Sequence, residues 1–203
     1  PVHDPSGNIE GLVFALFETT ERKRKEDLSL ARFALLEYAA SHTANELLGK
    51  ALDEISVQTE SSIGFLHIVS EDQKTFVLQL LSTQTEKEFC TAEREDRNYS
   101  IPEPAVFVEC VQTKAPVVKN DYLSLTKRKE MPEDLLPISR VLLVPILRQD
   151  RTFAIFGFGN KNRDYTQQDM ELVSYLADAT WEAFMRIRAE ETVQRSCYML
   201  SRS

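Results

Sequence analysis

Three histidines and three cysteines are the most reactive side chains in this 203-residue sequence, and their spacing offers little catalysis. His3, His42 and His67 never fall at metal-ligand spacing from Cys90, Cys110 or Cys197, and no CxxC pair occurs. That pattern argues against zinc and for reduced thiols. There is no phosphate-cradling glycine loop, no HExxH and no GxSxG, so no catalytic residue is assigned. His42 stands at a helix start and is followed by Thr43 rather than an acidic residue, which reads as a surface or capping histidine instead of a phosphoacceptor. His67 differs, because it lies in the middle of an apolar run and shares a strand face with Phe65 and Val69. A buried imidazole without hydrogen bonds costs about 1–3 kcal/mol. His67 is therefore either a satisfied core histidine or the polar anchor of a mostly apolar ligand pocket. One further constellation looks structural. Thr166 followed three residues later by Asp169 makes a capping pair at a helix N-terminus, and Lys161 can pair with Asp169 to clamp a strand end to that helix.

The elements that must position these residues are legible from periodicity. Ser6-Gly7-Asn8 is a turn signal feeding a mostly apolar run, Ile9–Phe17, which reads as a strand. Thr19 or Thr20 can then cap a helix running to about Tyr38, with Leu28, Ala31 or Phe33, Leu35 and Tyr38 as its apolar stripe. A second helix follows, with Ser41 as its cap and Leu47, Leu48, Ala51, Leu52 and Ile55 facing the core. Two strands, 61–69 and 75–82, precede a polar helix over 84–96 that keeps Phe89 and Cys90 as apolar contacts. Tyr99-Ser100-Ile101 is short and extended. An amphipathic helix over 103–114 turns Val106, Phe107, Cys110 and Val111 inward, and a short strand at 116–118 ends in Asn120-Asp121-Tyr122. After a loop at 123–137, strands 141–147 and 152–158 flank a turn without glycine. A long helix begins at Thr166, with Val173, Leu176, Thr180, Phe184 and Ile187 on one stripe.

This order predicts an α+β fold, with an antiparallel sheet of about five to six strands between two layers. The first two helices and the last cover one face. Short helices and the 120–137 segment are left to cover the other, where a ligand cavity would form beside Phe65, His67, Tyr99, Phe107 and Tyr122. A net charge of −8 with basic residues only in short runs argues against nucleic acid. No stretch of roughly 18 apolar residues is present to span a membrane, and no signal peptide is apparent, so a cytoplasmic location is expected.

Residues 32–187 resemble the GAF domain family. The likeness rests on Ser62-Ile63-Gly64-Phe65-Leu66-His67, Glu88-Phe89-Cys90, Val108-Glu109-Cys110-Val111, Pro116 to Tyr122, Val144-Pro145-Ile146, Gly159-Asn160-Lys161 and Asp169 to Asp178, in that order. Residues 1–20, through Asp4-Pro5-Ser6-Gly7-Asn8-Ile9 and Glu18 to Lys23, resemble the last hairpin of a PAS domain and its exit. The resemblance implies a linker helix over 21–40, a further linker over 188–203, and neighbouring PAS and histidine kinase modules. It also implies a homodimer through the N- and C-terminal helices. Within the GAF pattern the ligand positions fall on Phe65, His67, Phe89, Cys90, Tyr99, Phe107, Asn120, Asp121 and Tyr122. Cys90 occupies the stretch through which some methanogen sensor kinases attach haem covalently, which makes haem a candidate cofactor and His67 the nearby candidate axial donor. Asn160, Lys161, Tyr165 and Asp169 resemble a degenerate cyclic-nucleotide GAF motif, for which the clamp is the simpler reading. Three functions follow as expectations: a ligand- or redox-sensing module, a haem sensor attached through Cys90, or a ligand-free dimerisation spacer.

Overall fold

The computed structural model describes residues 11–89, 105–125 and 138–200; for 11–21, 88–89, 125 and 195–200 it describes the backbone alone. The elements run α1 (Gly11–Ala39), α2 (Ala44–Thr59), β1 (Ile63–Val69), β2 (Phe76–Leu81), α3 (Thr83–Phe89), α4 (Ala105–Thr113), β3 (Val117–Lys119), α5 (Tyr122–Leu125), β4 (Val141–Arg148), β5 (Arg151–Gly159) and α6 (Gln167–Leu200). The strands form one antiparallel sheet in the order β2-β1-β5-β4-β3. The expected α+β class holds, with five strands.

Alternation along the strands sorts side chains onto two faces. Leu66, Leu142, Val144, Ile146, Ala154, Phe156 and Phe158 pack under α1, α2 and α6, against Leu35, Leu52, Ile55, Val173, Leu176 and Trp181. Ile63, Phe65, Val69, Leu143 and Ile155 face the other way, toward Val106, Phe107, Cys110 and Val111 of α4. Both faces are covered, as strands apolar on both sides require. Each wide helix earns its place through an apolar stripe. In α1 the stripe takes Ala31 and leaves Phe33 66% exposed, which resolves the choice between the two.

Local chemistry sets the boundaries. The cap of α2 is Thr43 rather than Ser41: its hydroxyl accepts from the Glu46 N–H, and the Glu46 carboxylate accepts from the Thr43 N–H at 2.8 Å. Only Thr43 has a glutamate three residues on, which the reciprocal pair needs. The β4–β5 hairpin closes through Gln149 (φ 49°) and Asp150 (φ 64°), both left-handed, without the glycine such two-residue turns favour.

The strand expected over 9–17 is corrected: from Gly11 the backbone is helical and continuous with α1. An apolar run of that length suits either state. A strand needs neighbours to take its N–H and C=O groups, and none of the described strands pairs with this segment, whereas a helix satisfies them internally. The extended stretch at 99–101 lies outside the described residues. α1 and α6 run side by side in the same direction. Arg24 meets the Gln168 carbonyl (2.8 Å) and Glu171 (3.8 Å), while Arg32, two turns later, meets the Tyr175 hydroxyl at 3.2 Å.

Candidate ligand site

His67 is the feature that sets the α4 face apart. It sits in β1 opposite Ile155 of β5 and Leu78 of β2, next to a bulge that leaves Gln79 unopposed between Leu78 and Leu80. Bulges of this kind commonly re-aim a side chain. The imidazole is 3% exposed. Phe65 stands edge-on at 5.2 Å between ring centroids and Phe107 at 5.1 Å, with Phe76 packed on Phe107 at 5.5 Å. Among the described residues neither ring nitrogen has a hydrogen-bond partner. Burial pushes its pKa down to about 4, so the ring is neutral at pH 7 and offers one donor and one acceptor.

Its aromatic neighbours are held in place by the sheet. The Phe65 ring lies across Gly157 of β5, where an added Cβ would sit 2.0 Å from the ring. Glycine at 157 thus makes the hollow that lets Phe65 lie flat beside His67. Cys110 is fully buried under α4, and burial, with a smaller push from Glu109, raises its thiol to about 12. It is a packing residue at neutral pH.

The structure brings together Phe65, His67, Phe107 and Tyr122 of the expected ligand positions, all on this face. Asn120 goes elsewhere: its amide donates to the Tyr165 carbonyl (3.0 Å) and accepts from the Tyr165 N–H (2.8 Å), tying the end of β3 to the segment before α6. Asp121 is exposed to solvent. The backbone of Phe89 lies in α3, while Cys90 and Tyr99 fall outside the described residues. Phe76, Ile155 and Gly157 were not anticipated. A glycine inside a strand pattern does signal close approach, so Gly157 was findable; Phe76 and Ile155 looked like ordinary strand residues.

Lys161 and Asp169 meet as a buried ion pair at 2.7 Å, with side chains 4% and 11% exposed. The second carboxylate oxygen accepts from the Thr166 N–H at 2.8 Å and its hydroxyl at 3.0 Å, closing the cap of α6. Burial alone would raise the Asp169 pKa. Hydrogen bonds from Lys161 and Thr166 together outweigh it and hold the carboxyl below its ordinary value. Asn160, the residue before Lys161 and left-handed at φ 57°, accepts from the N–H (2.8 Å) and hydroxyl (3.1 Å) of Ser139, 21 residues earlier. The end of β5 is thus fixed to its neighbour and to α6 within two residues.

A separate cleft of about 320 Å³ opens between α2 and α3, lined by Asp53, Ser56, Val57, Ser82, Thr83, Gln84 and Lys87. Its carboxylate, Asp53, is engaged by the Thr83 N–H and hydroxyl, both at 2.7 Å. No group of three or more His, Cys, Asp or Glu side chains able to hold a metal occurs among the described residues. Among the same residues no helix is long and apolar enough to cross a membrane.

A five-stranded antiparallel sheet with long terminal helices on one face and a short helix over a histidine on the other matches a known family. The model of the GAF domain matches residues 41–185. The chain belongs to the GAF domain family. Over 193 residues it is 25% identical to the methyl sulfide methyltransferase-associated sensor of Methanosarcina acetivorans, covering 92% of this chain and 19% of that protein. This chain therefore spans about a fifth of that relative's length. Among solved structures, the GAF domain of an Acinetobacter phosphoenolpyruvate-protein phosphotransferase superposes with a TM-score of 0.60 at 11% identity, over 78% of this chain and 93% of that one. A GAF domain assigned to a sensor histidine kinase of Pseudomonas syringae pv. tomato gives 0.55 at 12% identity, over 90% and 99%. At such identities the structural likeness speaks for the fold alone. GAF domains are generally regulatory, and the named relative is a sensor.

Proposed function

We propose that this GAF domain is a non-catalytic sensory module of a cytoplasmic signalling protein, a histidine kinase, and that it holds a small molecule on the α4 face of the sheet. One observation carries the reading: His67 is 3% exposed with both ring nitrogens unpartnered among the described residues. Leaving such groups unpaired costs about 1–3 kcal/mol, and a bound molecule able to hydrogen-bond to the ring would recover it. Occupancy has a short route outward. β1, which carries His67, pairs with β5, and Lys161, two residues beyond the end of β5, grips Asp169 at the start of α6. The parallel course of α1 and α6 suits a module entered by one helix from a PAS domain and left by the other toward a kinase. Leu30 and Phe33 of α1 are 65% and 66% exposed, and Met185 and Val193 of α6 are 49% and 62% exposed. These residues support a homodimer through the two helices.

Haem is the second reading, favoured by the same imidazole, since a neutral ring nitrogen is an axial donor. The described residues fit it poorly. Phe65 and Phe107 stand within 5.2 and 5.1 Å of the His67 ring, where a macrocycle would have to displace both. Cys90 lies outside the described residues.

Expression with haem in the medium, followed by a visible spectrum and native mass spectrometry, separates these readings. A bound mass that His67→Leu releases supports the small-molecule sensor. A Soret band that Cys90→Ala removes supports covalent haem. A protein without either, dimeric and unchanged by His67→Leu, is a spacer.

A further inference from the structure

The cleft between α2 and α3 is lined by one charge of each sign, and the two do not meet. Its volume of about 320 Å³ lies at the lower end of small-molecule sites. Asp53 is turned toward the first residue of α3, where its two oxygens accept separately from the Thr83 N–H and hydroxyl. That grip keeps the carboxylate from swinging to Lys87. An ionised carboxylate has about four lone-pair sites, so about two remain for another donor. Lys87 is exposed and makes no ion pair among the described residues. At the floor, Ser56 is 5% exposed, and among the described residues its hydroxyl finds no partner. Thr59, later in the same helix, bonds back to the Ile55 carbonyl at 2.8 Å, and Ser82 is engaged with Thr85 at 2.6 Å. Val57, 76% exposed, supplies an apolar wall.

We infer that this cleft binds a small zwitterion of the amino-acid class, with its ammonium on Asp53 and its carboxylate on Lys87 and Ser56. A lone anion would lie beside Asp53 with no cation of its own to answer it, and a lone cation would face Lys87 in the same way. A molecule carrying both charges meets both, and its carboxylate supplies the acceptor that the Ser56 hydroxyl lacks. The site is separate from His67, so the inference does not rest on the reading of the α4 face. It gives α2 a part in the output: the helix that carries Asp53 and Ser56 also sends Leu48, Leu52 and Ile55 into the core shared with Val173 and Leu176 of α6.

The test uses the full 203-residue chain, labelled with 15N. The amide signals of Ser56, Val57, Thr83 and Lys87 are followed while alanine, propionate and ethylamine are titrated in at neutral pH. Propionate lacks the ammonium and ethylamine lacks the carboxylate. Alanine is expected to shift these amides saturably and to bind about three- to fivefold more tightly than either half, the worth of one exposed charge pair. Lys87→Met should bring alanine down to the ethylamine level. Asp53→Asn, which keeps an acceptor for Thr83, should bring it down to the propionate level. His67→Leu should leave alanine binding unchanged, which separates this site from the α4 face. Propionate or ethylamine binding as tightly as alanine, or alanine binding undiminished in Lys87→Met and Asp53→Asn, overturns the zwitterion inference. So does a titration in which alanine gives no saturable shift at the cleft, and that failure leaves the proposal for the α4 face to its own test.

Discussion

On the helical side of the sheet, a lysine and an aspartate are buried together, and every oxygen of the carboxylate has a donor. On the α4 side, a histidine equally well buried has none among the described residues. Both sites remove a polar side chain from water, which is costly unless partners replace the water. The clamp meets that cost internally through Lys161 and Thr166. Other polar groups on its side are also served within the chain: Thr180 donates to the Leu176 carbonyl at 2.7 Å, and Ser61 shares a hydrogen bond with Tyr165 at 2.7 Å. The Ser56 and Thr152 hydroxyls, Arg32 Nε and Arg148 Nη2 are exceptions among the described residues. His67 stands apart because both ends of a planar ring are unmet at once, within aromatic walls. A paired buried group fixes one element to another; an unpaired one leaves the cost of its burial unmet among the described residues.

The largest expected effect is on the paired side. Lys161→Met leaves the Asp169 carboxylate buried without its cation and should cost about 3–5 kcal/mol in urea denaturation, whereas replacing both partners by apolar residues should be close to neutral. Asp169 is held below its ordinary pKa in the folded state. Its contribution is therefore complete above the unfolded carboxylate range and lost as pH falls through the folded value. Lys161→Met should accordingly show a weaker acid dependence than the parent. A loss below about 1 kcal/mol would mean that the Thr166 cap alone holds α6, and the contrast between the two faces would fail.

His67 predicts a dependence of different origin. Its folded pKa is lowered from 6.5 to about 4 by burial, so between those values the unfolded chain takes a proton that the folded chain refuses. Stability should fall by about 3 kcal/mol from pH 6.5 to pH 4 on this account. His67→Leu should flatten that window and, at pH 7, should be no less stable than the parent, since it removes two unmet polar atoms. A steep loss that survives His67→Leu would assign the acid sensitivity to other groups and show that the imidazole is satisfied.

How far this contrast could be read in advance depends on the residue. The sheet, its two layers and the inward face of α4 follow from alternation and helical spacing, because burial demands those periods. The Lys161–Thr166–Asp169 arrangement is equally legible, since a cap acts within one turn. His67 could be singled out as a polar residue in an apolar strand, but whether its nitrogens find partners depends on residues distant in sequence. The same limit explains Asn120, whose amide is engaged by the backbone of Tyr165, 45 residues away. The segment from Gly11 shows a different failure: an apolar run without partners in view suits helix and strand alike.

A smaller effect tests the aromatic wall directly. Gly157→Ala would place a methyl 2.0 Å from the Phe65 ring, so the ring must move away from its seat beside His67. Overpacking of this kind costs about 1–3 kcal/mol. Because the change lies on the α4 face, the His67 15N resonances should shift while the α6 amides near Asp169 stay in place. Movement at both would show that the sheet couples the two faces rigidly.

The smallest expected effect calibrates the rest. Thr43→Ala removes the hydroxyl that caps α2 on the helical side and ends its reciprocal bond with Glu46. Such a loss costs about 1 kcal/mol, measured as a shift in the urea midpoint with the slope unchanged. The cap is exposed and distant from β1, so the His67 ring signals should remain where they are in the parent. If they move, stability lost anywhere in the helical layer reaches the α4 face. The shifts expected from Gly157→Ala would then have to be read against this background before being assigned to the wall beside His67.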